Sequence, residues 1–78
     1  MSRTVNELVD YADSDRTLYR ELEDGSWEWV FDVWNGETNE YDEVCKGETM
    51  DFPYAVVRAH QAAVDWAVKR AMAAYQNE

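Results

Sequence analysis

The chain has 78 residues, 46% of them hydrophobic and 14% aromatic, and carries 17 acidic against 7 basic side chains for a formal charge of −10. That length allows one small domain spanning 1–78. The apolar content argues against a disordered polyanion, and the charge excludes an ordinary basic surface for direct binding of duplex nucleic acid.

The acidity is uneven. Residues 7–51 hold fifteen acids and three bases, a net of −12, while residues 52–78 hold two acids and three bases, a net of +1. A single cysteine, Cys45, makes an internal disulfide impossible. No apolar run reaches membrane-spanning length, and Met1-Ser2-Arg3 leads into polar sequence without the apolar core of a signal peptide, which predicts a cytoplasmic protein with no membrane partner.

In chain order, Thr4 and Glu7 have capping-box spacing, and Val5, Leu8, Val9 and Ala12 fall at i, i+3, i+4 and i+7, which predicts a short N-terminal helix. Asp13-Ser14-Asp15 breaks that pattern. From Arg16 the period becomes two, with Leu18, Arg20 and Leu22 alternating with Thr17, Tyr19 and Glu21 up to an Asp24-Gly25 hairpin signal. Trp27, Trp29, Phe31 and Val33 then alternate with Glu28, Val30 and Asp32 as a half-buried strand. Asn35-Gly36 marks a second turn, a third strand follows from about Thr38 to Cys45, and Lys46-Gly47-Glu48 closes the meander.

The last element is a long helix with Pro53 in its first turn and Thr49 or Asp51 as cap. At 100° per residue, Val64, Val68, Ala71 and Tyr75 fall within about 40° of Val57, so that arc is expected to meet the sheet. The predicted fold is α+β in the order α-β-β-β-α: a three-stranded antiparallel meander packed against a long C-terminal helix and a short N-terminal one.

A two-residue turn at Asp24-Gly25 would set Leu22 opposite Trp27, Arg20 opposite Trp29 and Leu18 opposite Phe31 on the helix side. After Asn35, a two-residue turn would bury Glu40 and Asp42, whereas a three-residue turn with a bulge at Gly36 turns them outward and puts Tyr41 beside Phe31. Burying two unpaired carboxylates costs several kcal/mol, roughly, which favours the bulged register. The outer face then displays Glu21, Glu23, Glu28, Asp32, Glu40 and Asp42. Like charges across strands destabilise one another, and spacing of ~7 Å along a strand resembles a row of phosphates. Such a row suits a cationic groove that follows a nucleic-acid backbone.

With −10 in 78 residues and this row, the chain resembles small acidic phage-encoded inhibitors of host defence, the DNA-mimic anti-CRISPR and anti-restriction proteins. The resemblance implies a non-enzymatic inhibitor, acting in the host cytoplasm, whose acidic face occupies a basic nucleic-acid-binding surface of a larger complex. The predicted element order is also that of double-stranded RNA-binding domains, but the bases those domains need are absent.

Chemistry finds little purchase. Asp13-Ser14-Asp15 lacks the glycine and terminal glutamate of a calcium loop, and one His with one Cys is too few for zinc. Cys45 at a strand end and His60 in the helix arc read as core residues, not as nucleophile and base. No glycine-rich phosphate loop exists, and an open sheet face offers no cleft to shift a carboxylate pKa. No enzyme activity, metal or cofactor is expected. Trp34, on the outward parity at the second turn, joins the acidic row as an anchor for the partner. The alternative is an accessory subunit binding through Trp34, Trp66 and the alanine-rich helix. Ala59, Ala62, Ala63 and Ala67 would also admit a helix-mediated homodimer.

Overall fold

The computed structural model describes residues 3–12 and 14–76. Four strands precede one helix: β1 (Thr4–Ala12), β2 (Asp15–Leu22), β3 (Trp27–Asn35), β4 (Glu40–Thr49) and α1 (Phe52–Gln76). The strands form one antiparallel sheet in the order β1-β2-β3-β4, and α1 lies across one of its faces. The class is α+β as expected, but the element order is corrected to β-β-β-β-α. Among the described residues no helix precedes the sheet, which has four strands and not three, and the likeness in element order to double-stranded RNA-binding domains falls with that order.

The segment expected as an N-terminal helix is an edge strand. Its Val5, Leu8, Val9 and Ala12 fit a helical period, but Thr, Val and Tyr are strand-forming residues and nine residues make a marginal helix. Cross-strand partners decide between the two. Leu8 lies opposite Tyr19, Val9 opposite Leu18 and Glu7 opposite Arg20, whose Nε donates to Glu7 Oε2 over 3.0 Å.

The β2–β3 turn has one more residue than predicted. Leu22 N donates to Ser26 O and Gly25 N to Leu22 O, both at 2.9 Å, and Gly25 has φ of 87°. This is a three-residue loop ending in a left-handed glycine. Asp24 Oδ1 accepts from Ser26 N at 2.9 Å and Ser26 Oγ at 2.5 Å. The extra residue pairs Glu21, not Leu22, with Trp27 and so turns the whole of β2 over. Tyr19 now faces the helix beside Trp29, while Leu18, Arg20 and Leu22 face away.

Strand β3 presents the side expected of it: Trp29 and Phe31 are buried in the core, with Trp27 and Val33 packed against them. Lys46-Gly47-Glu48 lies inside β4 and does not end the sheet. Gly47 sits opposite Trp29, and a Cβ there would come within 2.9 Å of Trp29 Nε1. The large indole needs the bare backbone.

Helix α1 begins as predicted. Asp51 Oδ1 accepts from Tyr54 N at 3.0 Å, and Thr49 Oγ1 donates to Asp51 O at 2.7 Å. Its buried side is not the predicted one. Ala55 and Ala59 are fully enclosed, with Phe52, Ala62, Ala63 and Trp66 packed around the same core. On a helical wheel this face lies roughly 180° from Val57. Phe52 meets Tyr19 edge-on at 5.3 Å between centroids and Trp27 at 4.7 Å. The sheet supplies the bulk, so the helix must supply small residues to approach it. The molecule measures 48 × 25 × 21 Å, and no helix among the described residues is long and apolar enough to cross a membrane.

Candidate functional site

The turned-over β2 redistributes the charges of the second sheet face, which no element covers. Arg20 stands between Glu7 and Glu28, with Arg20 Nη1 to Glu28 Oε1 at 3.2 Å. Glu7's hydrogen bond, the largest influence, raises the Arg20 guanidinium above its ordinary pKa; burial opposes it, and the hydrogen bond to Glu28 adds to the rise. Arg16 Nε donates to Asp32 Oδ2 over 3.0 Å, and its guanidinium lies 3.9 Å from the Tyr41 ring centroid. Between these two charged rows, Leu18 and Val30 are buried.

The seven residues expected to form one site therefore divide. Glu28 and Asp32 are on the open face, but each is matched by an arginine, and Asp32 is only 5% exposed. Glu21 shares a cross-strand position with Trp27 on the helix side and accepts from Asn6 Nδ2 at 2.6 Å. Glu23 is in the first turn, with Arg3 at 3.8 Å. The predicted six-carboxylate row is thus corrected. Its premise was the wrong turn length, and the fold places arginines where the row was expected.

Trp34, Glu40 and Asp42 share the far end of the sheet, Trp34 on the open face and the two carboxylates on the opposite one. The β3–β4 connection is a four-residue loop, Gly36 to Asn39, longer than either turn considered. Asn39 N donates to Asn35 O at 2.9 Å, Asn39 adopts φ of 58°, and Glu37 N donates to Asn35 Oδ1 at 2.9 Å. A register shift beside Phe31 and Asp32 absorbs Val44, so Tyr41 faces Trp34, and Cys45, not Tyr41, faces Phe31. The Trp34 and Tyr41 rings meet edge-on at 5.1 Å, and Trp34 is 40% exposed. The Trp34 backbone N–H donates to Ser14 O at 2.9 Å, tying the two hairpins together.

Glu37, Glu40, Asp42 and Glu43 are all exposed, with no base between residues 36 and 43; Glu43, opposite Asp32, shares the face of the aromatic pair, whereas Glu40 and Asp42, opposite Asn35 and Val33, point to the other face. Asp42 accepts from Asn35 Nδ2 at 2.9 Å, and none of the four forms an ion pair among the described residues. Glu37, Glu43 and Tyr41 were missed as site residues; the signal available was the local density of acids, four in eight residues. The geometry gives a polyanionic hairpin end beside an edge-on aromatic pair, one ring of which, Tyr41, already stacks on Arg16; such a group of carboxylates suits cationic partners.

The other candidates do not gather. Cys45 is exposed rather than core, and it lines a different cleft from His60, which is also exposed. Among the described residues no group of three or more His, Cys, Asp or Glu could hold a metal ion; Asp13 of the calcium-loop reading lies outside them. Trp66 and Ala59, Ala62 and Ala63 are taken up by the sheet, so the helix face first considered for a partner is occupied within the chain. Comparison with protein-family models, with curated proteins and with solved structures finds no match.

Proposed function

We propose that this protein is a non-enzymatic binding protein that presents the carboxylates of its β3–β4 hairpin to a basic, nucleic-acid-binding surface of a larger protein complex and inhibits it by occupancy. The reading is supported by one contrast. Glu7, Glu28 and Asp32 are paired with Arg16 and Arg20, whereas Glu37, Glu40, Asp42 and Glu43, at the hairpin end that carries the half-exposed Trp34, form no ion pair among the described residues. Charge spent within the fold cannot steer a partner; charge left free at one end can.

Trp34 supplies the contact that salt does not screen, since aromatic anchors carry much of the energy of protein interfaces. The carboxylates of the hairpin end supply orientation and encounter rate. Competition against a short labelled DNA duplex, across a panel of nucleic-acid-binding complexes, tests this by fluorescence anisotropy. Wild type should displace the duplex from its target with a steep loss of affinity as salt rises. The triple variant Glu37→Lys, Glu40→Lys, Glu43→Lys should lose displacement, while Glu7→Gln should retain it. Displacement by the triple variant equal to wild type would refute the assignment to the hairpin.

A further inference from the structure

The apolar stripe that the helix was expected to bury faces away from the sheet. Tyr54, Val57, Val64, Val68, Met72 and Tyr75 are 59%, 52%, 49%, 50%, 56% and 80% exposed. Tyr54, Val57, Gln61, Val64, Val68, Ala71 and Tyr75 follow one another at alternating intervals of three and four, the spacing of a coiled-coil seam over three heptads. Beyond Trp66 the helix has left the sheet, and Ala67 to Tyr75 is exposed throughout. A stretch that short holds its helix through packing more than through its own propensity.

We propose that this stripe pairs with the same stripe of a second copy, antiparallel, about a two-fold axis passing α1 between Ala62 and Ala63. In that register Val57 meets Val68 of the second copy, Tyr54 meets Ala71, and Gln61 meets Val64. The two Gln61 amides then lie one layer apart, close enough to hydrogen-bond across the axis and fix the register.

Two independent features fit this arrangement. Arg58 and Asp65, both beside the seam, come within a turn of each other's counterparts, which makes two symmetric ion pairs. A parallel pair, or an antiparallel one slipped by a heptad toward the C-terminus so that Asp65 faces Asp65, loses that match. Tyr75 of the second copy also reaches Met50, which is 90% exposed and lines a groove of about 430 Å³ with Glu48, Thr49, Asp51, Tyr54 and Arg58. This groove and the one of about 410 Å³ on the other flank of Tyr54 would receive the far end of the partner helix.

The area is adequate. Two largely exposed tyrosines, three half-exposed valines and two methionines amount to on the order of 600 Å² per copy, or roughly 1,200 Å² together, above the ~1,000 Å² expected of a specific interface. Charge favours the same face. Residues 52–76 carry one acid and three bases, so the helix is where two chains of −10 can meet without setting acid against acid.

Sedimentation equilibrium of the full chain tests the proposal. The expected species has twice the 9.1 kDa chain mass, half-formed on the order of 1–10 µM. Higher salt should tighten it by screening the net charge, the opposite of the dependence expected at the hairpin. Val64→Glu and Val68→Glu, at positions already half exposed in the fold, should leave the circular dichroism unchanged and weaken association by about 100-fold or more. In a Cys45→Ser background, Met50→Cys with Tyr75→Cys should cross-link between copies. Tyr75→Cys alone should not, because the two residues 75 stand ~37 Å apart in this register. A chain that stays monomeric at about 100 µM, association untouched by Val64→Glu, or efficient cross-linking through Tyr75→Cys alone would each overturn the proposal.

Discussion

Replacing Gly47 by alanine sets backbone preference against packing. Gly47 has no positive φ, so alanine fits its backbone, and relief of glycine's chain entropy in a strand should stabilise by ~0.4–1 kcal/mol. The new Cβ, however, would lie 2.9 Å from Trp29 Nε1 and 3.0 Å from both Cε2 and Cζ2. Trp29 is 6% exposed and belongs to the buried cluster with Tyr19, Phe31, Ala55 and Ala59, so its ring has little room to retreat. Overpacking of this kind costs about 1–3 kcal/mol. The net expectation is a loss of about 1–2 kcal/mol, which in a domain of this size lowers the melting temperature by roughly 5–15 °C. Thermal unfolding followed by far-ultraviolet circular dichroism measures it. The same substitution in a Trp29→Phe background, where the offending atoms are gone, should be neutral or stabilising. Gly47→Ala at least as stable as wild type, or an equal cost in both backgrounds, would refute the role assigned to Gly47.

Two further outcomes follow from the charges. Arg16→Ala strands a buried Asp32 and should cost about 3 kcal/mol in urea unfolding, while the double variant Arg16→Ala, Asp32→Ala should be less damaged than the sum of the singles by ~1 kcal/mol or more; additive effects would show that the pair is not coupled. Hydrogen bonds from the Ser26 side chain and backbone hold the Asp24 carboxyl below its ordinary 3.8. The folded state thus binds this proton less readily than the unfolded one, so the stabilisation is present above 3.8 and is lost as pH falls through the lower folded value. Urea midpoints taken from about pH 5 down to about pH 2 should fall less steeply in Asp24→Asn, which keeps the turn but cannot titrate; parallel curves would remove the inference.

What could be read from the chain depended on whether the deciding contact was local. The alternation of Trp27, Trp29, Phe31 and Val33 has one interpretation, and β3 is built that way. Asp24-Gly25 and Asn35-Gly36 mark turns, but the dipeptides do not specify loop length. One residue more in the first loop moved Arg16 and Arg20 to the face reserved for acids, and the predicted row dissolved with it. The Thr4–Ala12 segment satisfies a helical period and a strand period at once, and only the presence of β2 alongside chooses between them. On α1, valines and tyrosines outweigh alanines on any hydrophobicity scale. The buried face is nevertheless the alanine face, because Tyr19, Trp27, Trp29 and Phe31 already fill the space between the layers. Of the expected site, Trp34, Glu40 and Asp42 share the hairpin end, and local acid density would have added Glu37 and Glu43.

Both margins of the sheet, β1 and β4, lie open along their length. Unpaired amides and carbonyls there invite other chains to add strands, and such a margin is a route to fibrils. Glu7 and Asp10 on one margin, and Glu40, Asp42, Glu43 and Glu48 on the other, keep copies apart while they are ionised. Acidity at the margins therefore has a use within a population of identical chains, as a guard rail. With Glu40→Gln, Asp42→Asn, Glu43→Gln and Glu48→Gln together, the guard on β4 should fail. Thioflavin fluorescence rising in that variant but not in wild type would record it, and a clear solution with no rise would show that the margins are protected by other means.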